Sequence, residues 1–352
     1  MEALLYEKFS NINIGDPFFD SLKGDYREFP VWFLRKAKAN EFAYIQKVKG
    51  AIEGFLYLKI EDGPITDIEP VLDIRQAVKI GTLKINPHGT RLGERFIKKS
   101  FDFALSQTID VVYVTIFERH KKLIELFKKY GFYIYGSKTS DNGVECVLVK
   151  DFREDFRNIY QSYPLVHMNN SKKYLLAIYP EYHTRLFPDS ILRTESPYDV
   201  VKDISHTNSI EKVYICRMRQ VLLLKRGDIL LIYRTSDEEG RAEYRSVVTS
   251  VCVVEDVIPM KSFRNFQHLK EECKNYSVFT DQELKGMFTS SKPHYIIKMT
   301  YNIALKKRLI RKTLIDEVGL DRDSYWGFFE ISDQHLQKIL ELGEVDESYI
   351  VY

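Results

Sequence analysis

The chain has 352 residues, 44% of them apolar and 29% charged, with 52 basic against 50 acidic side chains and a net charge of +2. This composition fits a folded chain long enough for two domains of ordinary size and excludes disorder or a global field that would commit it to nucleic acid. No run of about 18 apolar residues is present to cross a membrane as a helix, and the start, Met1 to Glu7, lacks the basic and apolar pattern of a secretory leader.

In chain order, Glu41–Val48 and Ile52–Ile60 read as a hairpin turning near Lys49-Gly50. Thr82-Leu83-Lys84-Ile85 reads as a strand that feeds the turn Asn86-Pro87-His88-Gly89-Thr90-Arg91-Leu92-Gly93. A helix starts near Arg91, with Leu92, Phe96, Ile97, Ser100, Phe101 and Ala104 at helical spacing as its core face. Val111–Phe117 is a near-continuous apolar, β-branched strand, followed by a helix over His120–Lys129 and then Tyr130-Gly131-Phe132. Val144–Lys150 closes this half as a strand. Glycines and a helix N-terminus expose backbone N–H groups together with the positive end of the helix dipole. The turn is therefore a candidate cradle for the phosphates of a nucleotide-like cofactor.

Prolines 164, 180, 188 and 197 break up the stretch 153–208, in which Lys173–Tyr179 forms a strand that fits either half. Further strands are expected at Lys212–Met218, Asp228–Arg234 and Tyr244–Glu255, and a late one at Tyr325–Ile331. Helical pieces are expected at Phe263–Cys273, Asp281–Met287, Ile310–Val318 and Gln334–Leu342. Cys146, Cys216, Cys252 and Cys273 are scattered without C-x-x-C spacing, which argues for a reducing, cytoplasmic setting and against a zinc site. No metal is expected.

The segment Gly81–Phe132 resembles the GNAT superfamily of N-acyltransferases. Its pyrophosphate turn, Arg/Gln-x-x-Gly-x-Gly/Ala, falls on His88 to Gly93, with His88 in the Arg/Gln place and Arg91 in place of the central glycine. The family's Asn-x-x-Ala-x-x-x-Tyr-x-x-x-Gly-Phe falls on His120 to Phe132, with Leu123 in the Ala place and Phe127 in the Tyr place. The resemblance implies an acetyl-CoA co-substrate. Backbone groups around Leu83, Lys84 and Ile85 would meet the acyl carbonyl. His88, Gly89, Thr90, Arg91, Leu92 and Gly93 would hold the pyrophosphate, and Phe127 would lie beside the cofactor. In many members the tyrosine protonates the departing thiolate, which Phe127 cannot do. Tyr130 is the substitute to weigh against a core role for both rings. Glu118 and His120 are candidates to take the amine proton, against the alternative that they cap a helix in an exposed loop.

The second half resembles the ASCH group of PUA-like domains through Lys212-x-x-x-x-Arg217, the Gly227-Asp228 turn and the long strand after it. Ile215 stands where members carry Glu in Lys-x-x-Glu-x-Arg, which removes a carboxylate that base hydrolysis would need. The resemblance implies an RNA-like ligand near Lys212 and Arg217. Lys306, Lys307 and Arg308, within a run of five cations in seven residues, and Trp326 with Tyr325 are further candidates to contact RNA. A solvated helix face and core aromatics are the competing accounts.

The expected fold is α/β (α+β). A GNAT-like mixed central sheet flanked by helices spans 1–152, a structured connector 153–208, and a PUA-like small β-barrel with helices 209–352. The expected function is acetyl transfer to an RNA or RNA-bound amine, such as an aminoacyl-tRNA. Linked architectures of this kind occur among bacterial toxin-type acetyltransferases, so growth arrest enters by analogy. A protein or small-amine acetyltransferase, and a non-catalytic CoA- or RNA-binding protein, are the alternatives.

Overall fold

The computed structural model describes residues 3–87, 89–156, 158–190, 205–237, 242–274 and 276–352. It divides into two compact units, Met1–Ser162 and Tyr163–Tyr352. Among the described residues no helix is long and apolar enough to cross a membrane.

The first unit is built on a seven-stranded mixed sheet. Its strands are β1 (Ala3–Lys8), β2 (Phe42–Val48), β3 (Ala51–Asp62), β4 (Gln76–Ile85), β5 (Val111–Phe117), β6 (Tyr133–Ser140) and β7 (Gly143–Asp151). They lie in the order β1-β2-β3-β4-β5-β7-β6. The expected hairpin is β2–β3, and its tip, Lys49-Gly50, holds φ of 50° and 89°. A two-residue turn with both residues left-handed matches the twist of the paired strands, and Gly50 adopts it without a Cβ penalty. β4 and β5 run parallel, so a crossover is required; it is α3 (Leu92–Ser106), preceded in the chain by α1 (Asp20–Asp25) and α2 (Phe29–Lys38). The six positions assigned to the inner face of α3 are all buried. α4 (Lys121–Lys129) follows β5 and buries Ile124 and Phe127.

Two aromatic-rich clusters fill this unit. Phe9, Phe19, Phe29, Phe33 and Phe55 pack α1 and α2 on one part of the sheet, while Tyr113, Val147 and Val149 sit under the loop that carries Ile65, Ile68 and Leu72. The last strand of this unit, β7, inserts between β5 and β6 and does not form the sheet edge. β6, β1 and the α1–α2 pair carry no periodic apolar signal strong enough to have been anticipated. The unit runs on to α5 (Ile159–Ser162), past the end placed near residue 152.

The second unit holds β8 (Val166–His167), β9 (Lys173–Ile178), β10 (Glu211–Cys216), β11 (Ile229–Arg234), β12 (Val247–Pro259), β13 (Tyr295–Ile310), β14 (Phe328–Ile331) and β15 (Ile350–Val351). Six of these form a mixed sheet in the order β10-β13-β12-β11-β9-β14. The strand that fitted either half is β9. It pairs in parallel with β11 and antiparallel with β14, so this part of the expected connector is an inner strand of the second sheet. Every residue of β10 and of β11 is buried, which is why these strands read as continuous rather than alternating apolar runs. The 16-residue β13 joins β10 to β12 and was not anticipated, although Tyr295–Ile303 is rich in β-branched and aromatic residues. Expected helices appear at Phe266–Cys273, Asp281–Thr289 and Asp333–Leu342; the second starts with a capping box between Thr280 and Glu283. The four cysteines are free.

Candidate functional site

β4 and β5 begin paired and then part. Their parallel register covers only Val78–Ile80 against Val112–Val114. Beyond it Thr82–Ile85 stay paired to β3 alone, after a bulge at Tyr57/Leu58 that leaves Gly81 out of the register and where a Cβ on Gly81 would meet the Tyr57 ring at 2.8 Å. The N–H of Asn86 donates to Glu53 O at 2.9 Å, so it faces β3. Alternation along the strand then aims the N–H groups of Leu83 and Ile85 away from β3, into the gap.

The gap opens into a cleft of about 1070 Å³, lined on one side by Leu83–Pro87 and Gly89–Gly93 and on another by Arg119–Leu123 and Leu126. α3 begins at this cleft. Arg91 is its N-cap residue, with φ of 56° and ψ of 25° and no side-chain cap, so the first N–H groups of a 15-residue helix face the opening. Gly89 is also left-handed, with φ of 81° and open space where a Cβ would stand. Arg91 thus holds a backbone conformation that glycine adopts freely, at a cost of roughly 1–2 kcal/mol for an L side chain. Its guanidinium turns back onto Glu94 Oε1 at 2.6 Å, inside the first turn of its own helix. His88 lies outside the described residues.

Three anticipated cofactor contacts have other work. Lys84 lines the cleft, but by the same alternation its N–H faces β3 and not the gap, and its ammonium bonds Phe18 O and Ser21 Oγ (2.6 Å to the latter) and stands over the Phe18 ring; burial lowers its pKa. Gly93 lines the cleft too, yet a Cβ there would come within 2.7 Å of Leu126 Cδ2, so the contact that demands glycine lies within the protein, between α3 and α4. Phe127 is fully buried, edge-on to Phe132, and does not line the cleft.

Among the candidate acid–base groups, Tyr130 is corrected to a core residue. It is fully buried beside Tyr160 and absent from the cleft wall, because it caps the far end of α4, one turn along the helix axis beyond Leu126. Glu118 is exposed and also off the wall. His120 does line the cleft, at the N-cap of α4, with Nε2 3.7 Å from Asp25 Oδ2.

A second group of lining residues was not found from sequence: Asp25, Tyr26, Glu28, Phe29 and Trp32 from the α1–α2 region, and Glu145 from β7. Tyr26 packs with its ring tilted against Phe117, the last residue of β5, at 5.4 Å between centroids, and its hydroxyl donates to Glu145 Oε1 at 2.7 Å. Burial and the adjoining carboxylate raise the Tyr26 pKa, so the phenol stays protonated and donates. No motif joins positions 26 and 145; only the sheet order brings β7 beside β5.

In the second unit the expected RNA contacts are not assembled. Lys212 is 1% exposed, and its ammonium donates to His206 O at 2.8 Å and Thr207 O at 3.1 Å, which makes it a structural tie within the fold. Trp326 is 8% exposed, packs on Tyr233 and Phe329, donates from Nε1 to Asp321 O at 3.2 Å and lies under Arg311. Arg217 is exposed just past the end of β10. Lys306 and Lys307 are exposed and Arg308 half-buried on the end of β13, a strand and not the expected helix face; Arg308 donates to Asp189 O at 2.9 Å. Among the described residues no group of three or more His, Cys, Asp or Glu is placed to hold a metal.

No protein-family model and no curated protein matches the chain. Solved structures similar in fold include both acetyltransferases and ASCH proteins. An ASCH protein from Zymomonas mobilis aligns at 11% identity and a TM-score of 0.34, covering 49% of this chain and 95% of its own. An IAA acetyltransferase from Bacillus cereus aligns at 13% identity and a TM-score of 0.32, covering 43% of this chain and 99% of its own. A NatC complex bound to Gag peptide and CoA aligns at 15% identity and a TM-score of 0.31, covering 43% and 99%. Likeness of this degree says nothing of activity, which has to be argued from the cleft.

Proposed function

We propose that the first unit is a GNAT-type N-acyltransferase that takes its acyl group from acetyl-CoA. The observation that carries this is the parting of β4 from β5 beside an uncapped helix N-terminus, which puts two kinds of backbone donor on one cleft. Donors from Gly89 to Gly93 and the α3 dipole suit a pyrophosphate. The N–H groups of Leu83 and Ile85, aimed into the gap, suit the thioester carbonyl and the oxyanion that forms from it; one such donor is typically worth about 10²–10³ in rate. The acceptor amine attacks the carbonyl carbon directly and CoA leaves as its thiolate. With Phe127 and Tyr130 both in the core, no side chain at the family's tyrosine position protonates that thiolate. A thiolate leaves without such help, so the change lowers the rate without removing the chemistry.

The acceptor is the finer part of this reading. The burial of Lys212 and Trp326 removes two of the seven residues that argued for RNA, and an amine on a protein or small molecule is the acceptor favoured here. The second unit, read as the ASCH-like half, keeps exposed cations only at Arg217, Lys306 and Lys307 of that set.

The test is thermal. Acetyl-CoA at about a hundred times its Kd adds about 2.7 kcal/mol to the folded state, which raises the melting point of a unit this size by roughly 5–10 °C. Thr90→Glu places a carboxylate among the phosphate donors and is expected to remove the shift. No shift with wild-type protein at millimolar acetyl-CoA would leave only a non-catalytic reading.

A further inference from the structure

The transfer needs a group that receives the amine and takes its proton, and the charges around the cleft single one out. Four of the cations that line the cleft are already matched. Arg119 pairs with Asp25 at 2.6 Å, Lys79 reaches Glu61 at 3.7 Å, Lys59 also pairs with Glu61, and Lys138 pairs with Asp67. Glu145 is different. It is 4% exposed, lines the cleft, and its partner is the neutral Tyr26 hydroxyl on Oε1; among the described residues it has no ion pair. A carboxylate removed from water is costly without a cation to match it. By register Glu145 faces Phe117, the end of β5 where the gap is widest, and the adjoining wall is aromatic: Tyr26, Phe29 and Trp32.

From this we infer that Glu145 is the acceptor-binding carboxylate and proton acceptor of the cleft, with Tyr26 as its positioning residue. The acceptor class is a primary amine carried as an ammonium on an apolar or aromatic arm, with no carboxylate next to the nitrogen. The inference rests on the N-acyltransferase reading above.

The step balances as follows. The ammonium gives one proton to Glu145, and the nitrogen lone pair forms the C–N bond at the thioester carbonyl. The C–S bond then breaks with its electron pair on sulfur, and the second nitrogen proton passes to the thiolate. The products are the amide, CoA thiol and one proton, which Glu145 releases to solvent. Asp25, Glu28, Arg119, His120 and Lys138 are the other charged or titratable groups around Glu145, and all but Glu28, which accepts from Asn142 Nδ2 at 2.9 Å, have an oppositely charged partner.

The experiment uses the full chain, acetyl-CoA and 2-phenylethylamine, with phenylalanine as the carboxylate-bearing control. Calorimetry first measures acetyl-CoA binding to wild type, Glu145→Gln and Tyr26→Phe; all three are expected to agree within about twofold, because the phosphate donors are elsewhere. Wild type should acetylate 2-phenylethylamine at least about tenfold better than phenylalanine. Glu145→Gln should lower kcat/KM by about 10²–10⁴ and Tyr26→Phe by about tenfold, since each impairs one proton transfer to a different extent. The acid limb of the wild-type pH profile should be replaced in Glu145→Gln by a rate that climbs with the free amine alone. Absence of acetyl-CoA binding in wild type would overturn the N-acyltransferase reading itself. Intact acetyl-CoA binding with no turnover of 2-phenylethylamine, or with an unchanged rate and pH profile in Glu145→Gln, would overturn the assignment of Glu145 alone.

Discussion

Lys150, on β7 five residues beyond Glu145, is fully buried, and replacing it by Met should change how the first unit responds to pH. Its ammonium donates to Tyr130 O at 3.0 Å and Gln161 O at 2.5 Å, and stands over the rings of Phe101, Phe152 and Phe156. It therefore ties the end of α4, whose start forms one wall of the cleft, to the sheet. Burial pushes its pKa down to about 7. In the unfolded chain a lysine titrates near 10.4, so between these values the unfolded state binds the extra proton. Stability contributed at this position thus rises with pH from about 7 towards 10.4 and is lowest below 7. Each unit is worth about 1.4 kcal/mol, and the populations give a rise of about 2 kcal/mol between pH 7 and 9. Two carbonyls and three ring faces favour the cation, so this figure is a ceiling. The chain has two tryptophans, Trp32 in the first unit and Trp326 in the second. Urea unfolding of a Trp326→Phe background, followed through Trp32, isolates the relevant unit. The stability difference between that protein and its Lys150→Met form should shift across the two pH values in the stated direction. A difference independent of pH would refute the reasoning.

Three further outcomes are expected. Gly54→Ala would place a Cβ 2.6 Å from Leu92 Cδ2 and 2.8 Å from Phe96 Cζ, pushing the start of α3 off β3. It should cost about 1–3 kcal/mol in urea unfolding and weaken acetyl-CoA binding measured by calorimetry. His183 is buried, with Nε2 2.7 Å from Thr249 Oγ1, and burial near Arg234 and Arg308 pushes its pKa down to about 3. Its unfolded form binds the proton first, so the second unit should lose about 2 kcal/mol from pH 6.5 to 4.5; His183→Gln, followed by Trp326 fluorescence in a Trp32→Phe background, should abolish that loss. The double change Lys306→Glu with Lys307→Glu should leave acetylation of small amines unaltered while removing any salt-sensitive retardation of bulk RNA in a gel.

Local chemistry in the sequence determined the elements whose periodicity or turn residues are self-sufficient. The Lys49-Gly50 hairpin, the core face of α3, the β-branched β5 and the Asp281 and Asp333 helices each follow from neighbours within about a dozen residues. The cleft was legible for the same reason, since the strand, the glycine turn and the helix start are contiguous from Leu83 to Gly93. What failed did so where burial overrides residue type. Lys212 and Trp326 looked like ligand contacts because cations and aromatics serve both purposes, and only packing shows one tied to backbone carbonyls and the other held among Tyr233, Phe329 and Arg311. Tyr130 and Phe127 depended on the rotation of a short helix against the sheet. Tertiary structure alone decided that β9 belongs to the second sheet, that β4 parts from β5 after three paired residues, and that Glu145 meets Tyr26 from 119 positions away. Those facts follow from strand order and burial, which link residues that no local spacing connects.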